Sequence, residues 1–299
     1  MVHLLGSTIV REVRRTLRDD GTLWLNLGDS YYNYRPGKGQ ALVKQTMAKI
    51  SQDLPTECVR RANKVEGLKK KDLIGIPWMV AFALHADGWY LRSDVIWSKP
   101  NPMPESVTDR PTKSHEYIFL LSKSERYHYD YEAIREPAEH SSIKRWMQNI
   151  DAQEGSYRAN GGAKTNGTMK AVSGPRRSDK QRGHSRRHAG FNDRWDAMTK
   201  DEQAAMGRNK RSVWTVATKP FSEAHFATYP PELIEPCILA GCPQGGTVLD
   251  PFFGAGTTGL VADRFGRHCI GIELNPEYVE IAKRRLIKDA GMFAQITAA

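Results

Sequence analysis

The stretch "LDPFFGAGTTG", Leu249 to Gly259, closes a short apolar run, turns on Gly254 and Gly256, and continues into residues that suit a helix start. Glycines at such a turn let the backbone approach a ligand closely, and the free N–H groups of the helix start point at it. The pattern is not an ATP-cradling loop, because the four-residue gap between glycines and the Gly-Lys-Ser/Thr ending are missing. It is not the dinucleotide fingerprint either, which needs a third glycine at a fixed place. Asp250 sets a negative charge where a phosphate would otherwise lie. Glu273 follows 23 residues later in "CIGIELNPEYVE", at the end of the next apolar run, where ribose hydroxyls are bound in folds of this kind. Two carboxylates bracketing a nucleoside favour one that carries positive charge. S-adenosyl-L-methionine, with an ammonium, a sulfonium and a free ribose, has that chemistry.

Placing these residues takes a strand, the turn, a helix, a second strand and a last helix, and the sequence supplies them as "TVLD", the glycine turn, the residues after Thr257, "CIGIEL" and "EYVEIAKRRLIKD", after a helix over Pro231 to Ala240. Upstream, Leu5, Ile9, Val13 and Leu17 recur at four-residue spacing and predict an amphipathic helix over Val2 to Arg18. Thr22 to Gly28 reads as a buried strand, and Ala41 to Asp53 as a helical stretch. Leu73 to Pro100 gives an apolar helix stopped at "ADG" and then an aromatic, β-branched strand, and His115 to Asp130 gives a further strand pair. Strands alternating with helices predict an α/β, Rossmann-like fold with a mostly parallel sheet covered by helices on both faces.

The chain of 299 residues carries a formal charge of +10, which points to a polyanionic partner. Residues 141–211 hold 16 Lys and Arg against 7 Asp and Glu, so about a quarter of the chain accounts for nearly all the surplus. That concentration, in a Gly/Ser/Arg-rich stretch without apolar periodicity, predicts an inserted segment that tracks phosphates and orders on nucleic acid. The alternative is a simple disordered loop. Arg176, Arg177, Arg186 and Arg187 are its candidate phosphate contacts. The four cysteines, Cys58, Cys237, Cys242 and Cys269, lack metal-ligand spacing, so no metal site and no disulfide framework is expected. No apolar run is long enough for a membrane span and no leader peptide is visible, which makes a cytoplasmic location the expectation.

With these residues in place, "LDPFFGAGTTGLVADRFGRHCIGIELNPEYVEIAKRRL" resembles the cofactor motifs of DNA amino-methyltransferases, in the permuted version whose cofactor half comes last. "LRDDGTLWLNLGDSY" looks like that family's strand after the catalytic loop, and "WSKPNPMPESVTDRPTKSHEYIFLLSKSERYHYD" like its later block. "SVWTVATKPFSEAHFATYPPELIEPCILAGCP" resembles the segment that closes over the methionine end of the cofactor. The resemblance divides the chain into a catalytic half over 1–140, a basic target-recognition insert over 141–211 and a cofactor half over 212–299. It implies S-adenosyl-L-methionine held by Asp250, Pro251, Phe252, Gly254, Gly256, Thr257, Thr258, Glu273 and Asn275, with Phe226, Pro230 and Asp29 beside it. Pro104, Glu105 and Ser106 then line the target-base side, and the partner is double-stranded DNA in a bacterial cell or a phage-infected host. A restriction endonuclease counterpart and a homodimer are further partners that the resemblance admits.

The family's catalytic signature is an Asp/Ser/Asn-Pro-Pro-aromatic loop, whose polar side chain and carbonyl accept the hydrogens of the exocyclic amine while the ring stacks on a flipped base. No such loop occurs in the 299 residues: "TYPPEL" has no aromatic after its prolines, and "DPFF" belongs to the glycine turn. In relatives of this type the loop lies tens of residues before the strand that here starts at Thr22, so the expectation is a reading frame truncated upstream and a sheet with a gap between the strand ending at Asp250 and the strand Thr22 to Gly28. The rival reading is a remnant that binds DNA and cofactor without transferring methyl. A nicotinamide oxidoreductase would need a third glycine and a proton donor, and the sequence shows neither.

Overall fold

The computed structural model describes residues 2–33, 65, 67–139, 141, 143, 197–221, 228–291 and 295–297. They fall into two compact units, Met1–Asp130 with Arg211–Ala299, and Tyr131–Lys210. The helical stretch expected over Ala41–Asp53 lies outside the described residues.

The first unit opens with α1 (Val2–Thr16), followed by β1 (Thr22–Leu27), α2 (Ile76–Ala86), β2 (Tyr90–Ser98) and β3 (His115–Ser122). The face of α1 that meets the core is carried by Val10 and, just past the helix, Leu17, while Ile9 stays 37% exposed. Arg11 holds the helix to the end of α2 through a forked contact with Asp87, 2.7 and 3.0 Å from its carboxylate. Helix α2 ends at Asp87, and Gly88 at φ 92° supplies the left-handed turn that the Ala-Asp-Gly signal implied.

Strands β1, β3, β2 and β4 (Val213–Thr215) form one sheet in that order. Strand β3 runs antiparallel to both β1 and β2, and only β2 and β4 are parallel. The expected mostly parallel arrangement is thus corrected for this four-stranded sheet. No helix intervenes between β2 and β3, and a parallel pair needs a crossover of that kind, so the chain returns antiparallel. The expected strand pair after His115 is a single strand, with residues 123–130 in turns and irregular structure.

Period-two alternation decides which helix each strand residue meets. On one face Leu23, Leu25, Phe119 and Leu121 pack with Ala81, Leu84 and Trp89 under α1 and α2. On the other, Trp24, Val95, Trp97, Ile118 and Trp214 pack against Leu233 and Cys237 of the helix Pro231–Gly241.

The remaining strands, β5 (Thr247–Asp250) and β6 (His268–Gly271), pair in parallel as a separate sheet. Val248 and Cys269 face the core formed by Ile238, Leu260, Val261 and Ala262. Ile270, on the opposite face, is 56% exposed. Among the described residues no strand joins β5 to β1, the place where the sequence led us to expect a gap.

The second unit, by itself, shows an antiparallel bridge between Glu136 and Arg208, with reciprocal N–H to C=O bonds of 2.9 and 2.8 Å. The Arg208 guanidinium also pairs with the carboxylates of Glu136 and Glu139 at 3.3 and 3.0 Å. A short helix, α3 (Lys200–Ala205), precedes Arg208. In chain order the helices of the first unit that follow are α4 (Pro231–Gly241), α5 (Thr257–Arg264) and α6 (Pro276–Ala290).

Candidate functional site

Strand β5 ends at Asp250, and the chain turns through Pro251–Ala255 into α5. Gly254 and Gly256 both take positive φ, 50° and 75°, which side-chain-bearing residues resist. At Gly256 a Cβ would also lie 2.9 Å from the Ala282 Cβ of α6. The turn's interior is filled by the Phe253 ring, whose atoms would stand 2.3 Å from a Cβ at Gly271 and 2.8 Å from one at Gly259. Two glycines therefore make room for one phenylalanine, and that ring sets how the turn sits on β6. Arg285 braces it from α6, donating to the Ala255 carbonyl and to Thr257 Oγ1 at 3.1 and 2.8 Å.

Strand β6 leads to Glu273, and the two acids of the sequence argument meet across this turn. Glu273 Oε2 accepts from Gly254 N at 2.8 Å, and Oε1 accepts from Asn275 N at 2.9 Å. A carboxylate has about four acceptor positions. Asn275 in turn caps α6 by accepting from Glu277 N at 2.9 Å. Asp250 is fixed from three sides. Its Oδ1 accepts from Phe252 N at 3.0 Å, and its Oδ2 takes Thr258 Oγ1 at 2.5 Å and the Tyr229 hydroxyl at 3.3 Å. Beside Glu273, Leu274 is 96% exposed and Phe252 67% exposed, two large apolar side chains without cover among the described residues.

The structure thus brings together Asp250, Pro251, Phe252, Gly254, Gly256, Thr257, Thr258, Glu273 and Asn275 at the carboxyl ends of two parallel strands, where open α/β sheets bind ligands. Pro230 is buried at the N-cap of α4. Phe226 and the four arginines, Arg176, Arg177, Arg186 and Arg187, lie outside the described residues. Asp29 Oδ1 accepts from Ser30 N, Gly75 N and Ile76 N at 2.9, 3.0 and 3.0 Å, so the carboxylate holds the start of α2.

At the carboxyl ends of β1 and β2 a second polar cluster forms. Glu105 accepts from Arg110 Nη1 at 2.7 Å, and the Arg110 guanidinium stacks 3.7 Å from the Tyr31 ring centre. That arginine, before any other contact, holds the Glu105 carboxyl below its usual range. Pro104 and Ser106 on either side are exposed. Lys99 pairs with Glu116 and lies over the Trp97 ring at 4.2 Å. Lys113 Nζ is buried without a hydrogen-bond partner among the described residues, and burial pushes its pKa down although the Asp29, Glu116 and Glu105 carboxylates pull the other way.

Lys113→Met should therefore raise Tm by about 2–4 °C, since it keeps the aliphatic stem and removes an unsatisfied ammonium. The pH dependence has a definite sign. A lysine whose folded pKa is depressed costs stability below that pKa, and the cost fades as pH climbs toward the unfolded value. The gap between variant and wild type should narrow in melts at alkaline pH, and a gap that widens there would refute this account.

Comparison with known proteins bears on the same residues. The family model described as DNA methylase matches residues 6–284, which include both acids and the glycine turn. A type II methyltransferase of Citrobacter freundii, M.Cfr9I, is 44% identical over 98% of this chain and 73% of its own length. This chain belongs to the DNA methylase family. The M.SmaI methyltransferase of Serratia marcescens is 42% identical over 94% of the chain and 72% of its own length. A solved PvuII DNA methyltransferase, described as cytosine-N4-specific, superposes with a TM-score of 0.52 at 16% identity, over 94% of this chain and 68% of that one, and shows that the two share a fold. The protein is a DNA methyltransferase, an α/β methylase by fold, and S-adenosyl-L-methionine is the methyl donor that goes with this membership.

Sequence reasoning missed four residues of this region. Leu274 could have been found, because it is an apolar residue placed just past a strand end between Glu273 and Asn275. Phe253, Tyr229 and Lys113 carried no local signal, and only their packing distinguishes them.

Proposed function

We propose that this DNA methylase transfers the methyl group of S-adenosyl-L-methionine to an exocyclic amine, N6 of adenine or N4 of cytosine, at a specific site in double-stranded DNA. The observation that carries the reading is Glu273, pinned by two backbone N–H groups beside the exposed Leu274 and Phe252. The carboxylate is thereby fixed just past the end of β6, where the adjacent hydroxyls of a ribose are bound in folds of this kind. Leu274 and Phe252 offer the apolar surface that a purine ring would cover. Asp250 stands at the end of the neighbouring strand with its carboxylate held by Phe252 N and Thr258 Oγ1 and the Tyr229 hydroxyl close by, suited to the cofactor's ammonium.

When bound, the cofactor supplies a sulfonium methyl open to in-line attack. The protein's part is positioning. Gly254 and Gly256 bring the backbone against the ligand, Glu273 and Asp250 fix its two polar ends, and the apolar pair excludes water from one side. Pro104, Glu105 and Ser106 fall to the target-base side in this reading, and the basic insert over 141–211 supplies phosphate contacts. We place the protein in the cytoplasm of a bacterial cell or a phage-infected host, beside a restriction endonuclease of matching specificity, and as a homodimer.

The test is transfer of labelled methyl from S-adenosyl-L-methionine to unmethylated duplex DNA of mixed sequence, alongside calorimetry of cofactor binding. The amine-holding loop of the family is not among the 299 residues, so cofactor binding and methyl transfer are read separately. The expected result is cofactor binding together with label in adenine or cytosine amines. Binding without transfer would favour the remnant that only holds DNA and cofactor, and no cofactor binding at all would overturn the proposal.

A further inference from the structure

Tyr229 immediately precedes the two prolines that open α4, and its ring packs against the core cluster of Val95, Trp97, Ile118, Trp214, Leu233 and Cys237. That cluster lines the four-stranded sheet, yet the hydroxyl on the same ring reaches the end of β5 on the other sheet, 3.3 Å from Asp250 Oδ2 and 2.7 Å from Thr258 Oγ1. Packing alone would be satisfied by phenylalanine, so the oxygen needs its own explanation. Resting on the functional reading above, we infer that Tyr229 is a positioning residue that orients the Asp250 carboxylate toward the cationic, methionine end of the cofactor.

The proton order is consistent with this role. Thr258 Oγ1 donates to Asp250 Oδ2 at 2.5 Å, which leaves its oxygen to accept from the tyrosine at 2.7 Å. The Tyr229 hydroxyl is thereby a donor to Thr258 and lies close to Oδ2 itself. Burial first, and the Asp250 charge second, raise its pKa, so it keeps its proton at any working pH. With Phe252 N on Oδ1, the carboxylate is held by donors on both oxygens and cannot rotate freely. Because the ring is wedged in the core of the larger sheet, the orientation of Asp250 depends on how that sheet and β5 are placed relative to each other. The resemblance sets this segment over the methionine end of the cofactor, but nothing in the sequence singles out the hydroxyl of Tyr229.

Tyr229→Phe tests the inference because it keeps the ring and removes only the oxygen. Two ligands are measured by calorimetry on the full chain: S-adenosylhomocysteine, which has the amino-acid end, and methylthioadenosine, which keeps adenine and ribose but lacks that end. The expected result is about tenfold weaker binding of S-adenosylhomocysteine with methylthioadenosine affinity unchanged. Thr258→Val should give the same selective loss, and Thr258→Ser should restore it. Equal weakening of both ligands would mean that the tyrosine merely supports the fold, and no weakening of either would mean that Asp250 needs no orientation from it. Either result overturns the inference. If the unaltered chain binds neither ligand, the cofactor site itself is wrong, an outcome distinct from a failure of Tyr229.

Discussion

Glu273→Ala is expected to weaken S-adenosyl-L-methionine binding about 100-fold, equivalent to roughly 2.7 kcal/mol. Hydrogen bonds to a charged acceptor contribute about 1.5–3 kcal/mol each, and alanine would remove the acceptor for two ribose hydroxyls at once. The loss would also reach the protein, because Gly254 N and Asn275 N would be left without their 2.8 and 2.9 Å partners and the glycine turn would loosen from the start of α6. Glu273→Gln grades the effect. Its amide oxygen can accept from only one of the two N–H groups while its NH2 faces the other, so the turn should loosen in part and cofactor affinity fall by an intermediate factor. Calorimetry at fixed pH reads both variants. Unchanged affinity in the alanine variant would remove Glu273 from the ribose site, whereas equal loss in both would show that the full carboxylate is required.

The second large effect is expected from DNA rather than from cofactor. Replacing Arg176, Arg177, Arg186 and Arg187 together by alanine should lower DNA affinity by about two orders of magnitude at low salt. It should also reduce the slope of log K against log salt by about 3–4, since each lost phosphate contact removes close to one released counterion. Cofactor affinity should be untouched, because Asp250 and Glu273 lie at the end of the β5–β6 sheet and belong to the other unit. Residues 141–211 carry 16 basic against 7 acidic side chains, the surplus that phosphate contacts require. The measurement is a salt titration of duplex DNA binding for wild type and variant. Parallel salt slopes would show that the insert does not contact phosphate, and the surplus charge would then need another partner.

Several of the chain's features were legible before any coordinates. The strand, glycine turn and helix from Thr247 to Arg264 were readable because each depends on neighbours within a few residues: positive φ at Gly254 and Gly256, and apolar residues before and after. The pairing of Glu273 with that turn was readable from its 23-residue distance from Asp250, since a strand, a helix and a second strand of ordinary length consume about that much chain. Membership in the DNA methylase family followed from the same contiguous motifs.

What was misread depended on residues far apart in sequence. Strand direction in the larger sheet could not be told from apolar runs, because a strand has the same alternation whichever way its neighbour runs; the missing helix between Ser98 and His115 decided it. The role of Asp29 at the start of α2 could not be seen either, because its partners Gly75 and Ile76 are 46 and 47 residues away, beyond any local pattern. Tyr229 carried no local signal of its own; folding packed its ring against one sheet's core and set its hydroxyl by Asp250 on another strand. The sequence by itself determined the local elements, the two acids and their turn, because short-range sterics and spacing suffice for those. Only the tertiary structure decided that the Asp29 carboxylate meets the backbone N–H groups of Gly75 and Ile76 and that the Tyr229 hydroxyl meets Asp250, since both depend on where distant segments come to rest.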